Sequence, residues 1–307
     1  MEHGNKTVVE EFVFMAFADL HQMKILIFLI FLLTYITCVL GNLAIIIIVK
    51  LEPSLHKPMY FFISVFSASE IIFVSVIVPK CMAILLGHDN TISFIGCFTQ
   101  MCFADSLGVN GCHLLMMMAF DRYVAINHPL RYPTIMTENV CIGLAIFPWV
   151  FAFSSIIIQV ILIARLEYCG HNIIDHYFCD LTPLQSLACS DASISTKATS
   201  LAAIVDVILP FLTIIGFYIR IIITVTKIKS KDGKQKAFST CTSHLIVAGL
   251  YYGAAMIVYG KSNASYYDKY LTLIYTAFTP TLNPFIYTFR NREVKKIFSN
   301  LVKRTVL

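Results

Sequence analysis

Charge is what this chain has least of. Asp, Glu, Lys and Arg make up 13% of its 307 residues, about half the roughly 25% usual in soluble domains. With so little charge and 58% hydrophobic residues, a water-soluble fold is excluded, because that much apolar surface has no core to hide in. Other absences narrow the chemistry. No nucleophile–base pairing, phosphate-binding loop or zinc-protease spacing is present, which argues against an enzyme and against a bound cofactor. No charged leader with a small-residue cleavage site opens the chain, so the first apolar run reads as its own anchor. No pair of matching inverted halves appears, which counts against a transporter.

What the chain does have is apolar sequence in long runs, with a mean hydropathy of +0.76. About 20 helical residues cross a bilayer. One run lies between Lys24 and Lys50, followed by Met59–Pro79, Ile95–Phe120, Val140–Ile163, Ser200–Thr226, Ala237–Tyr259 and Leu271–Phe289. The pattern predicts an all-α membrane protein, a seven-transmembrane helix bundle forming a single domain over residues 1–307. Residues 1–24 are expected as an extracellular tail, 25–289 as the bundle and 290–307 as a cytoplasmic tail.

Basic residues set the orientation. Lys50, Lys57, Arg122, Arg131, Arg220, Lys227, Lys229, Lys231, Lys234, Lys236 and the cluster from Arg290 to Arg304 fall on one side. Only Lys6, Lys24, Lys80, Arg165, Lys197, Lys261 and Lys269 fall on the other. The richer side is the cytoplasm, so the N-terminus is outside, and the net charge of +5 is a topology signal with no nucleic-acid partner implied. Two glycosylation triplets agree, Asn5-Lys6-Thr7 and Asn263-Ala264-Ser265. After the last run, Val294, Ile297, Phe298, Leu301 and Val302 recur at helical spacing between lysines, which predicts a short amphipathic helix on the inner leaflet, with membrane lipid as its partner.

The inner ends carry the motifs. Met118-Ala119-Phe120-Asp121-Arg122-Tyr123-Val124-Ala125-Ile126 closes the third run and Asn283-Pro284-Phe285-Ile286-Tyr287 the seventh. Adjacent Asp121 and Arg122 at a membrane border can offset each other's desolvation, and Pro284 cannot donate to the carbonyl at Pro280. Together with Leu55-His56-Lys57-Pro58-Met59-Tyr60-Phe61-Phe62 and Lys236-Ala237-Phe238-Ser239-Thr240-Cys241-Thr242-Ser243-His244-Leu245, these stretches resemble the odorant receptors, a branch of the rhodopsin-like G-protein-coupled receptors. The likeness runs the whole length. Tyr251-Tyr252-Gly253 in a sixth run without proline fits the same branch. Phe120 and Asn127 depart from the family's usual tyrosine and cysteine. Gly111 replaces a frequent glutamate, which leaves Asn42, Glu70 and Asn283 in the central polar cluster and weakens the case for a sodium ion there.

The resemblance implies a receptor for a small volatile odorant that acts on a heterotrimeric stimulatory olfactory-type G protein and raises cyclic AMP. It implies a place in the plasma membrane, in the cilia of olfactory neurons. A small-molecule receptor outside olfaction is the alternative. The implied coupling and switch residues are Asp121, Arg122, Tyr123, Tyr218, His244, Asn283, Pro284 and Tyr287. It further implies that Cys97 bridges Cys179 and Cys169 bridges Cys189; the residues alone leave Cys97–Cys189 open. His176-Tyr177-Phe178-Cys179-Asp180 fits a copper- or zinc-binding pattern of the family, but a cysteine committed to a disulfide cannot ligate as a thiolate. That leaves His176 and Asp180 short of a donor set.

Helical rotation of about 100° per residue sorts the rest. Met101, Ala104, Gly108 and Gly111 share the bundle-facing sector of the third run with Arg122, flanked by Asp105 and Cys112. The small residues among them are expected to leave open space. Tyr252, Ala255 and Tyr259 share one face of the sixth run, and Thr276 and Asn283 one face of the seventh. The upper members of these faces, Met101, Ala104, Asp105, Gly108, Cys112, Tyr252, Ala255, Tyr259 and Thr276, make up with Val109, Ala202 and Asp206 a candidate ligand site, apolar with a few polar groups. No lysine or arginine is at hand for Asp105 or Asp206. Either a cationic amine ligand supplies the missing charge, or the acids are protonated or hydrogen-bonded to hydroxyls such as that of Tyr259.

Overall fold

The computed structural model of the protein describes residues 9–15, 17–259, 268–290 and 297. Asn5, Asn263 and, Ile297 apart, the expected C-terminal amphipathic helix lie outside them. The apolar runs fold as long helices: α1 Lys24–Leu51, α2 Pro58–Leu85, α3 Phe94–Asn127, α4 Glu138–Ala164, α5 Ser193–Lys227, α6 Lys231–Tyr259 and α7 over residues 268–290. Their starts follow from local chemistry. Pro58 opens α2, where its missing N–H has no partner to lose. Ser93 Oγ accepts from the Gly96 N–H at 3.1 Å to cap α3, and Thr137 Oγ1 accepts from the Val140 N–H at 3.5 Å to cap α4. The second run does not stop at Pro79 as expected; α2 carries that proline internally and continues to Leu85, just as α4 carries Pro148.

Among the described residues, five segments are long and apolar enough to cross a membrane: Lys24–Leu51, Pro58–Leu85, Glu138–Ala164, Ser193–Lys227 and Cys241–Val258. α3 and α7 are not among them, and packing explains why. α3, at 34 residues about 51 Å long, packs against α2, α4, α5 and α6. Surrounded by protein, it can bury Asn110, His113 and Asp121. α7 likewise buries Thr272, Thr276, Thr279 and Asn283. α1 shows the converse arrangement: Leu29, Leu33 and Leu40 are exposed, while Phe31, Thr34, Cys38 and Asn42 face the bundle. Apolar outside and partly polar inside is the pattern of a helix solvated by lipid.

The all-α expectation needs one correction. Strands β1 Glu11–Phe14, β2 Thr91–Ser93 and β3 Ile173–Ile174 form a small sheet at one end of the bundle, called the upper end below. β1 is central, antiparallel to β2 with Phe12 opposite Ile92, and parallel to β3 with Val13 opposite Ile173. Phe12 is fully buried and stacks on Phe94 at 5.8 Å and edge-on to Tyr168 at 5.4 Å. Within the segment expected as a tail, residues 11–14 are therefore held by pairing. Strands of two to four residues are too short for alternation to reveal, and their partners lie far apart in sequence.

Candidate functional site

The centre of the upper half is built by tyrosines of α6 and α7 that pack against α3. Tyr251 Oη donates to the Gly108 carbonyl at 2.7 Å, and Tyr252 Oη donates to the Cys112 carbonyl, one turn further along, at 2.8 Å. Tyr275 of α7 completes the group, its hydroxyl 3.4 Å from that of Tyr251. The open space expected beside Gly108 and Gly111 is filled by these hydroxyls. A Cβ on Gly108 would lie 2.5 Å from Tyr275 Oη, and one on Gly111 would lie 2.1 Å from Tyr251 Oη. The glycines make room for rings from neighbouring helices, a cause invisible in the third run alone.

Around this group the predicted lining residues take their places. Met101, Ala104, Cys112, Tyr252 and Ala255 are buried, and Val109 and Ala202 half-buried. Tyr252 also packs on Phe211 of α5, with ring centroids 5.1 Å apart. The side chain of Tyr259 lies outside the described residues. Two π-helical turns interrupt the neighbouring helices, Ile204–Ile208 in α5 and Ile274–Phe278 in α7. A π turn inserts an extra residue and recurs at functional sites; here the two turns contain Asp206 and Thr276, both buried.

The acids differ in their surroundings. Asp206 Oδ2 accepts from Ser155 Oγ of α4 at 2.7 Å, while Oδ1 is enclosed without a hydrogen-bond partner. The hydroxyl that meets it is thus Ser155, a residue sequence reading passed over. Asp105 is half-buried as a residue, but its Oδ2 is enclosed and unpartnered. No salt bridge to either acid occurs among the described residues.

Residues 165–192 close the upper end. Disulfides join Cys97 to Cys179 and Cys169 to Cys189. Gln100 fixes the first from below: Oε1 accepts from the Cys179 N–H at 3.0 Å and Nε2 donates to the Val76 carbonyl at 3.1 Å. Lys269 of α7 pairs with Asp175 at 2.9 Å. His176 stacks on Tyr177 and meets Phe178 edge-on, each ring 4.7 Å away. Cys179 is committed to its disulfide, and no group of three His, Cys, Asp or Glu able to hold a metal occurs among the described residues.

Tyr177 is fully buried, and its hydroxyl meets Thr276 Oγ1 at 2.7 Å. Burial pushes this phenol well above its ordinary range, so it stays protonated. Thr276 Oγ1 also donates to the Thr272 carbonyl at 3.0 Å, so Tyr177 is the donor between the two hydroxyls. Replacing Tyr177 by Phe is expected to cost about 1 kcal/mol of stability. Thr276→Val should cost up to about 3 kcal/mol, because it strands the Tyr177 hydroxyl. The double variant should be no worse than Thr276→Val, as thermal midpoints of the purified protein would test.

At the lower end Asp121 pairs with Arg122 and accepts from Tyr132 Oη at 2.6 Å. Burial first, and then the Asp121 charge, push the Tyr132 phenol upward, which keeps it a donor. His244 Nε2 lies 3.0 Å from the Leu115 carbonyl, so Nε2 carries the proton and Nδ1 accepts from Tyr218 Oη at 2.8 Å. This one imidazole ties α3, α5 and α6 together. Tyr123 packs on Phe217 at 5.2 Å. Asn283 and Tyr287 are buried, and Pro284 lies within the continuous helix Thr279–Arg290, its ring against Gly41 of α1. Arg122, His244 and Tyr287 border a small cavity of about 20 Å³. Of the sequence-predicted lower residues, Arg122, His244 and Tyr287 thus meet at one cavity, with Asp121 on Arg122 and Tyr218 on His244; what reading the sequence missed above is Tyr177, Tyr251, Tyr275, Gln100 and Ser155. Tyr251 carried a signal in the Tyr251-Tyr252-Gly253 motif and Tyr177 stood in the His176-Tyr177-Phe178-Cys179-Asp180 stretch; the other three carried none.

Comparison with known proteins places the whole chain. The family described as "Olfactory receptor" matches residues 31–305. Olfactory receptor 6N1 of Homo sapiens is 43% identical over 99% of this chain and 98% of its own length. Olfactory receptor 6B9 of Mus musculus is 45% identical over 95% of this chain and 93% of its own. Olfactory receptor 2AP1 of Homo sapiens is 40% identical, with 98% of both chains covered.

Proposed function

Because the chain belongs to the olfactory receptor family, whose members are multi-pass membrane signalling receptors and not enzymes, we propose that it binds a small volatile odorant inside a bundle of seven crossings. In this reading the N-terminus is outside, the site is the upper space between α3, α5, α6 and α7, and the partner is a stimulatory olfactory-type G protein at the lower end. Cyclic AMP rises in olfactory cilia as a result. The ligand acts by binding the open arrangement of the lower ends more tightly than the closed one, since affinity difference is all a ligand can contribute. In the closed arrangement Arg122 is held by Asp121 and the lower ends of α3, α5 and α6 are tied through His244.

The ligand class we propose is a cationic amine. The observation that carries it is the enclosed, unpartnered Asp105 Oδ2. A second reading, in which the acid is satisfied within the protein, is favoured at Asp206 by the Ser155 hydrogen bond. The amine reading therefore rests on Asp105. In cells producing the receptor, Asp105→Asn should raise the amine concentration needed for half-maximal cyclic AMP by about 10- to 100-fold, the worth of a charge-assisted hydrogen bond of about 1.5–3 kcal/mol. Asp206→Asn should shift it less. Unchanged amine responses in both variants refute the cationic ligand and leave the receptor reading intact. Uptake of radiolabelled ligand without cyclic AMP would instead point to a transporter.

A further inference from the structure

A groove of about 740 Å³ lies at the lower end, outside the candidate ligand site, where α1 and α4 flank the outward face of α2. Pro58, Phe61 and Ser64 form its floor at i, i+3 and i+6 along α2, and Ile46 of α1 and Ile142 of α4 are its walls. The floor and one wall are open to the side: Phe61 is 36% and Ile142 42% exposed. Ser64 Oγ is enclosed but has no hydrogen-bond partner. The polar groups gather at the rim. They are Lys50, His56 and Lys57 from the link between α1 and α2, and Glu138 at the start of α4. His56 Nε2 lies 3.3 Å from the Lys50 carbonyl, which holds the basic side of the rim together. Two lysines against one glutamate leave the rim net positive before His56 is counted.

An apolar trough open to lipid gains nothing in hydrophobic free energy by taking a lipid tail, because the surrounding tails are equally apolar. Selection must come from the rim, where each lysine near an anionic headgroup favours it about fivefold. We propose that this groove binds an anionic phospholipid of the cytoplasmic leaflet. One acyl chain lies along Phe61 and the phosphate sits between Lys50 and Lys57, with Ser64 Oγ available to an ester carbonyl. The leaflet assignment rests on the orientation proposed above.

The chain supplies its own probe. Trp149 is the one tryptophan in the sequence. It follows Ile142 by seven residues, which places it on the same face of α4 about 10 Å further into the bilayer. The receptor would be reconstituted in phosphatidylcholine nanodiscs containing a small, fixed fraction of brominated-chain phosphatidylserine or brominated-chain phosphatidylcholine. Brominated phosphatidylserine is expected to quench Trp149 at about 25-fold lower mole fraction than brominated phosphatidylcholine, about fivefold for each of the two lysines. The preference should weaken with added salt and fall about fivefold for each of Lys50→Gln and Lys57→Gln. Ser64→Leu, which fills the floor without touching charge, should remove it as well. The unselective quenching by brominated phosphatidylcholine shows that each variant is folded and inserted. Equal quenching by the two headgroups overturns the proposal, as does a preference that survives the double lysine variant or Ser64→Leu. A chain that fails to insert into nanodiscs at all would instead count against the membrane-spanning reading.

Discussion

Gly111→Ala is expected to lower the stability of the receptor by about 3 kcal/mol or more and to abolish its response. The added Cβ would sit 2.1 Å from Tyr251 Oη, 2.6 Å from its Cζ and 3.1 Å from its Cε2. Overpacking of this kind costs about 1–3 kcal/mol, and pushing the ring aside also breaks the hydrogen bond to the Gly108 carbonyl, worth about 1 kcal/mol. Gly108→Ala offers a controlled contrast. There the added carbon meets Tyr275 Oη at 2.5 Å, but the next ring atom, Cζ, is at an ordinary 3.7 Å. Tyr275→Phe should therefore rescue Gly108→Ala, whereas Tyr251→Phe should not rescue Gly111→Ala, because the ring carbon itself is in the way. Tyr251→Leu should. Thermal midpoints of the purified variants, followed with a thiol-reactive dye that reports exposure of the buried free cysteines Cys38 and Cys81, would decide this. A Gly111→Ala receptor as stable as the parent would mean that the Tyr251 ring is free to move and is not a fixed strut.

These glycines also show where sequence reading stops. The apolar runs were legible because a helix in lipid must be apolar over its whole crossing length, and α1 and α4 fall within a few residues of their expected bounds. The bundle-facing side of α3 was legible too, since Met101, Ala104, Gly108 and Gly111 are all buried. What fills the space beside them was not, because Tyr251 and Tyr275 lie more than 130 residues away. Nor did any local signal mark the π turns that contain Asp206 and Thr276; the acid in Ile204–Ile208 marks a polar position but not a change of helix type. Ser155 had no reason to be singled out on α4 until its hydroxyl was seen on Asp206. The cysteine pairing came from resemblance and not from spacing. The pattern is general: one-dimensional periodicity tells which face a residue takes, while the identity of its partner is a property of the packed bundle.

Loss of the Cys97–Cys179 bridge is the other large effect, and it should exceed loss of Cys169–Cys189. The first bridge closes a separation of 82 residues and the second one of 20. In the chain-entropy picture these correspond to about 4.5 and about 3.3 kcal/mol. Position widens the gap. Cys179 lies two residues after Tyr177, whose hydroxyl reaches Thr276 within the candidate site, and the bridge anchors that stretch to the top of α3. Without it, the segment loses its covalent tie to α3 and is held over the bundle by non-covalent contacts such as Gln100 to the Cys179 N–H, the Lys269–Asp175 pair and the pairing of β3 with β1. Replacing Cys97 and Cys179 by Ser is therefore expected to destabilise the purified receptor strongly and to remove the odorant response. The Cys169 and Cys189 pair of substitutions should lower stability less and keep a response, because its loop of 20 residues is also held by the Cys189 N–H to the Glu167 carbonyl at 2.8 Å. Gln100→Leu in the intact receptor separates the two contributions. It leaves the bridge but strands a buried N–H, at about 1–3 kcal/mol, and should shift the ligand response without abolishing it. Equal losses from the two bridges would show that the upper segment is held as a whole by its sheet and aromatic contacts, and that Tyr177 does not depend on Cys97 for its place.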